Sequence, residues 1–193
     1  RLTSLNADNM YSGREDRDVI YKQLIIDLQE AQDLCAWPNE IDATKTVERV
    51  NKVFVKGLLA RICLQASGYA QRLDGENRLS TDPELSKARL YPIALQACKD
   101  VMEQEGTYVA LKSNFEDIFN NNGISGDVIN AGSESLFEIG YSNNPARGRI
   151  MYTLGIKHTT ADNMTTMLQG SQVGPTPTFF FDYSVKDLRR DIT

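Results

Sequence analysis

The sequence predicts a mainly α-helical protein of stacked helix pairs with long loops and short strands. Three features point that way. Apolar residues recur at three-to-four-residue spacing through residues 14–38, the stretch RVNKVFVKGLLARICLQASGYA at 49–70 is apolar on two sides, and the periodicity is lost beyond Asn120.

In REDRDVIYKQLIIDLQEAQDLCAWP, Val19 with Ile20, Leu24, Leu28, Ala31, and Leu34 with Cys35 mark an amphipathic helix. Asp16 or Asp18 can cap its start. Trp37-Pro38 ends it, because the residue before proline is pushed out of the helical region. The polar loop NEIDATKTVE then leads into the second helix, and the two form a helical hairpin.

On a wheel of about 100° per residue, Val55, Leu58, Leu59, Ile62, Cys63 and Ala66 make a broad apolar face of that second helix. Val53, Ala60 and Leu64 make a narrower one. Lys52 and Lys56 fill one seam between them, and Gly57, Arg61 and Gln65 the other, leaving thin polar stripes for water. Two apolar faces need two partners, so the helix is expected to be sandwiched. Gly57 costs roughly 1 kcal/mol against alanine in a helix interior, which implies that a neighbouring backbone or aromatic ring comes close there. Ala60 points to the same close approach.

The loop AQRLDGENRLSTDPELSKAR precedes a third helix, expected from about Pro92 to Glu105, with Ala94, Leu95, Cys98, Val101 and Met102 on its apolar face. Pro92 is read as an early helical position, where its missing donor is harmless, and Gly106 as the C-terminal cap. YVALKSNFEDIFNN places Phe115, Ile118 and Phe119 on one face of a short helix, completing a second pair. Helix pairs that bury two faces each by stacking follow the logic of an α-α superhelix of the tetratricopeptide kind, although no strict repeat is visible. Beyond Asn120, SLFEIGYS reads as a short strand. Residues 142–178 read as irregular chain, and TFFFDYSVKDLRRDIT as a short apolar strand or helix followed by a charged turn.

At 193 residues, 41% hydrophobic and 24% charged, the chain has the composition of a single folded domain. It is read as one region, 1–193, with a helical scaffold over about 12–120 and a loop- and strand-containing ligand side over about 121–193. A net charge of -5 and a pI near 5.0, without a run of Lys or Arg, exclude a nucleic-acid partner. No stretch reaches the ~20 apolar residues that span a bilayer, and residue 1 does not begin a secretory signal, so any export signal is expected outside this chain. Cys35, Cys63 and Cys98 are read as buried thiols acting as small hydrophobes. With His158 as the single histidine, neither a metal site nor a Ser-His-Asp triad is expected, and no cofactor is implied.

The serial order of these pieces, VIYKQLIIDLQEAQDL, a Pro shortly after it, the RV.K....LLARICL helix, an A...A..V.......Y helix, F..IF, SLFEIGY and a late D.RRD, resembles the SusD/RagB family from about Ser12 to Thr193. The resemblance implies a tetratricopeptide-like helical scaffold whose loops and short strands carry a glycan or other nutrient. It also implies a surface-exposed lipoprotein of the outer membrane with no catalytic activity, which delivers oligosaccharide to a SusC-like TonB-dependent transporter. The lipoprotein signal and the late E..FEG.R..DL.RW-like helix of the family are missing, so the chain is read as a middle fragment. The family's ligand site varies, and no site residue is carried over from it.

Sugar recognition needs flat apolar surfaces against ring C–H faces, plus amides, carboxylates or Arg for the hydroxyls. YSNNPARGRIMYTLGIKH supplies Tyr141, Asn143, Asn144, Arg147 and Tyr152, which form the candidate ligand-binding set. The competing reading is an ordinary loop in which Asn and Pro make turns. Trp37 is read as packing over a helix end, Asp127 as a solvated loop residue, and Asp187, Arg189, Arg190 and Asp191 as a surface ion-pair turn. Two other classes stay open. A tetratricopeptide-like module that binds a protein or peptide would be favoured by an apolar groove between helices. A hydrolase would use paired carboxylates such as Glu134 and Glu138, placed on one face of the expected strand.

Overall fold

The structure is a computed structural model and describes residues 13–118, 130–139 and 176–191. It is mostly helical. The described residues fall into two compact units, 13–111 with 130–137, and 112–118 with 138–139 and 176–191.

The first unit is built on three helices: α1 (Arg17–Leu34), α2 (Lys52–Ala66) and α3 (Lys87–Met102). Asp16 caps α1, its carboxylate accepting from the Asp18 amide at 2.7 Å. Asn51 caps α2 by accepting from the Phe54 amide at 3.0 Å, and Ser86 caps α3 through the Arg89 amide at 3.3 Å. Helix α2 packs on both α1 and α3, so it is sandwiched as its two apolar faces require. Val53, Val55, Leu59, Ala60, Cys63 and Ala66 are all buried.

A third neighbour completes the enclosure. Residues 136 and 137 lie against α2, with Phe137 stacked on Phe54 at 4.3 Å between centroids and the Leu136 carbonyl accepting from Asn51 Nδ2 at 3.3 Å. A Cβ on Gly57 would stand 3.2 Å from Leu136 Cδ1, so the close approach expected at this glycine is made by an aliphatic side chain. Two positions on α2 depart from the wheel. Leu64 is exposed, and Lys56, expected in a polar stripe, is buried and ion-paired to Asp100 of α3.

The buried faces of the outer helices are rotated from those expected. On α1 the core takes Ile25, with Tyr21 and Leu28 packed beside it, while Val19, Ile20, Leu24 and Leu34 are exposed. This helix has apolar residues on nearly every side, and only contact with α2 selects among them. On α3 the expected start at Pro92 is corrected to Lys87. Proline sits in the second turn, where it forfeits its own bond to the Ala88 carbonyl. Extending the helix backward puts Leu90, Ala94 and Ala97 in the core with Ile93 beside them, at the i, i+3, i+4, i+7 spacing of a buried stripe. Leu95, Cys98 and Met102, expected on that face, are exposed.

The loop expected over 70–89 contains a two-stranded hairpin. β1 (Ala70–Gln71) pairs antiparallel with β2 (Asn77–Arg78), and Gly75 turns the chain at φ +86°. Arg72 pins the hairpin to α1. It is buried, donates from Nη1 to Asp18 at 2.5 Å and from Nε to the Arg78 carbonyl at 3.2 Å, while Ser80 donates to Asp18 at 2.5 Å. Burial acts to raise the Asp18 pKa, and the Ser80 and Arg72 hydrogen bonds outweigh it, holding the carboxyl below its usual value.

In the second unit, residues 115–118 are helical. α4 (Pro177–Asp182) is capped by Thr176, whose hydroxyl accepts from the Phe179 amide at 3.2 Å. The charged turn expected after it is present. Asp187 accepts from Arg189 Nε at 2.9 Å, and these bonds lower its pKa to about 2. The strand expected at SLFEIGYS is corrected over residues 135–139, which are irregular chain, so that no strand alternation aligns Glu134 with Glu138; its last three residues lie outside the described ones.

The thiols differ from one another more than expected. Cys63 is buried, which pushes its pKa up to about 11, whereas Cys98 is exposed. Iodoacetamide at pH 8 should therefore modify Cys98 readily and Cys63 at least about a hundredfold more slowly, since the thiolate is the reacting species. Peptide mass spectrometry of the native protein checks this. Equal labelling of both would contradict the packing of α2.

Candidate functional site

The residues that end α1 and open α2 build a site around Trp37. Helix α1 stops at Leu34, and Pro38 is buried. A 3-10 turn at Asp42–Thr44 folds back, so that the buried Thr44 hydroxyl donates to the Trp37 carbonyl at 2.8 Å. Glu40 Oε2 accepts from the Trp37 amide at 2.7 Å, and the Lys52 amide donates to the Ala36 carbonyl at 2.8 Å. The tryptophan backbone is thus held at both sides by short-range bonds.

The ring lies parallel to Tyr108, with centroids 5.4 Å apart and planes 4° apart. Tyr108 is brought there by the turn after α3. The Gln104 carbonyl accepts from the Thr107 and Tyr108 amides at 3.0 Å each, and Gly106 at φ +80° donates to the Val109 carbonyl at 2.8 Å. Lys52 Nζ stands 5.4 Å from the Trp37 centroid, within cation–π range.

Beside this aromatic pair is a depression of about 220 Å³, lined by Gln32, Asp33, Trp37, Lys52, Lys56, Asp100, Glu103 and Gln104. Helices α1, α2 and α3 each contribute to it. Its floor is ordered by Lys56, which donates to Asp100 at 2.6 Å and to Gln32 at 3.1 Å, and by Gln96, which donates to the other Asp100 oxygen at 2.6 Å. The Lys56 hydrogen bond holds the Asp100 carboxyl below its usual pKa. Amides, carboxylates and ammonium groups therefore surround one edge of an aromatic platform. That combination bonds hydroxyls at the edge of the stacked rings. The volume is below the roughly 300 Å³ at which pockets for drug-sized ligands begin, so it suits a single ring.

Trp37, expected to pack over a helix end, has its ring stacked on Tyr108 and lines this depression. Its partner Tyr108 carries no sequence signal of pairing, because the two rings meet only when α3 lies across α2. Tyr141, Asn143, Asn144, Arg147 and Tyr152 lie outside the described residues, as do Asp127 and His158. Among the described residues, no group of three or more His, Cys, Asp and Glu side chains is arranged to hold a metal ion, and no helix is long and apolar enough to cross a membrane. No protein-family profile, curated protein or solved structure matches the chain.

Proposed function

We propose that this chain belongs to a glycan-binding protein of the SusD/RagB kind, a non-catalytic receptor at the outer-membrane surface. It would pass oligosaccharide to a SusC-like TonB-dependent transporter. The order of sequence features supports the family reading. The sandwiched α2, flanked by α1 and α3, is compatible with a tetratricopeptide-like scaffold. The observation that carries the ligand class is the Trp37–Tyr108 stack beside a depression rimmed by Gln32, Asp33, Glu103 and Gln104. Water-facing polar clusters are common. An aromatic edge set among amides and carboxylates suits a ring that carries hydroxyls.

Electrophoresis of the native chain through gels containing a panel of polysaccharides tests the proposal, with retardation by at least one polymer expected. Trp37 is the single tryptophan, so the same ligand should change the intrinsic fluorescence. Trp37→Ala is expected to weaken binding about tenfold or more, the equivalent of about 1.4 kcal/mol, while Trp37→Phe keeps a flat ring and most of the affinity. Tyr141→Ala and Tyr152→Ala measure whether residues 141–152 share the ligand. No retardation by any polymer refutes the glycan reading. Full retardation of Trp37→Ala moves the site away from the platform.

A further inference from the structure

The Trp37 depression carries negative charge that hydroxyl binding does not call for. Among the described residues, its charged lining is Asp33, Lys52, Lys56, Asp100 and Glu103. Lys56 and Asp100 pair at 2.6 Å and cancel. Asp33 and Glu103 are exposed, and among the described residues neither carboxylate has a hydrogen bond or an ion pair. The one opposing charge is Lys52, whose Nζ stands 5.4 Å from the Trp37 centroid and pairs with neither.

Helix ends add to the imbalance. Asp33 lies in the last turn of α1, which contains no basic residue, and Glu103 is the C-cap of α3. Two helices therefore bring the negative ends of their dipoles to the depression, against the positive end of α2 at Lys52.

We infer that the sugar ring held here carries a protonated amino group and no acid group, so that the ligand is a glycan with free amino sugars. The inference rests on the glycan reading above and adds to it the charge of the ring. An ammonium is attracted by two unpaired carboxylates and two helix ends. A uronate at the same place is repelled by all four and has only Lys52 and the start of α2 in its favour. A single exposed ion pair contributes little, yet exchanging ammonium for carboxylate reverses the sign of every one of these interactions together. N-acetylation removes the charge and places the ring with the neutral sugars.

Titration of the whole chain with glucosamine, glucose and glucuronate tests this, at pH 6, where the sugar amine is protonated, and at constant ionic strength. The readout is the indole N–H resonance of Trp37, which is unique because the chain has one tryptophan. Glucosamine should bind about tenfold more tightly than glucuronate, with glucose between them. Combining Asp33→Asn with Glu103→Gln, both surface changes, should reduce that ratio to about twofold or less, with the fold intact by circular dichroism. No response to glucosamine overturns the inference, and so does glucosamine binding no more tightly than glucuronate. A response to glucose, or retardation in the polysaccharide gels, then shows that the glycan reading survives without it. A full preference in the folded double variant overturns the inference as well, because the preference then does not come from these carboxylates.

Discussion

Leu59→Ala is expected to cost roughly 3–5 kcal/mol, the upper part of the range for buried leucine truncation. Leu59 is 1% exposed at the middle of α2, in the same buried cluster as Ile25 of α1 and Leu90, Ala94 and Ala97 of α3. A helix held from two sides cannot collapse toward one neighbour without leaving the other, so the cavity stays open and the loss exceeds simple transfer of the deleted atoms. With total stabilities of about 5–15 kcal/mol, this is a large share. Urea denaturation followed by Trp37 fluorescence measures it. Leu34→Ala, at a position 85% exposed, is the matched control and should change stability by no more than about 0.5 kcal/mol. A loss below about 1 kcal/mol for Leu59→Ala would mean that α2 is not enclosed.

Asp100→Ala should cost about 2–4 kcal/mol, and the reciprocal change Lys56→Met much less. The Lys56 side chain is 10% exposed and that of Asp100 is 28% exposed. Removing the carboxylate leaves an ammonium with little access to water and Gln32 Oε1 as its remaining partner. Removing the lysine leaves a carboxylate that water and Gln96 can still serve. Breaking a buried pair from one side is costly because of the charge left behind, and the charge that Lys56→Met leaves behind is the more exposed of the two.

The pH dependence follows from the sign of the shift. The folded pKa of Asp100 is depressed, by the Lys56 hydrogen bond above all. Its contribution is therefore complete above the unfolded value of about 3.9 and is lost as pH falls through the lower folded value. The stability gap between wild type and Asp100→Ala should be constant near neutrality and narrow progressively below about pH 4. A gap that stays constant down to the acid limit would show that the ion pair does not form.

Local chemistry was enough to anticipate the ends of α1 and the enclosure of α2. An aspartate ahead of an apolar run caps a helix through its own neighbours, and the Trp-Pro pair marks the stop to within a few residues, the helix ending at Leu34. The surplus of apolar positions on α2 demands two partners whichever helices supply them. The Asp187–Arg189 turn was legible for the same reason, being made within a few residues. Composition alone singles out residues 141–152, which lie outside the described residues, and residue order does not show that Trp37 meets a second ring.

Packing settled what these local rules leave degenerate. Val19, Ile20, Leu24, Ile25 and Leu28 give α1 several equivalent apolar stripes, and the surface of α2 selects the one through Tyr21, Ile25 and Leu28. Lys56 is indistinguishable from a solvated lysine until α3 brings Asp100 within 2.6 Å. Trp37 becomes part of a platform only when the turn after α3 lays Tyr108 parallel to it. Caps and breakers act through bonds between neighbours in the chain, so residue order suffices to reveal them. Which face is buried, which charge is paired and which rings stack depend on groups far apart in sequence, whose energies exist only once the helices have docked.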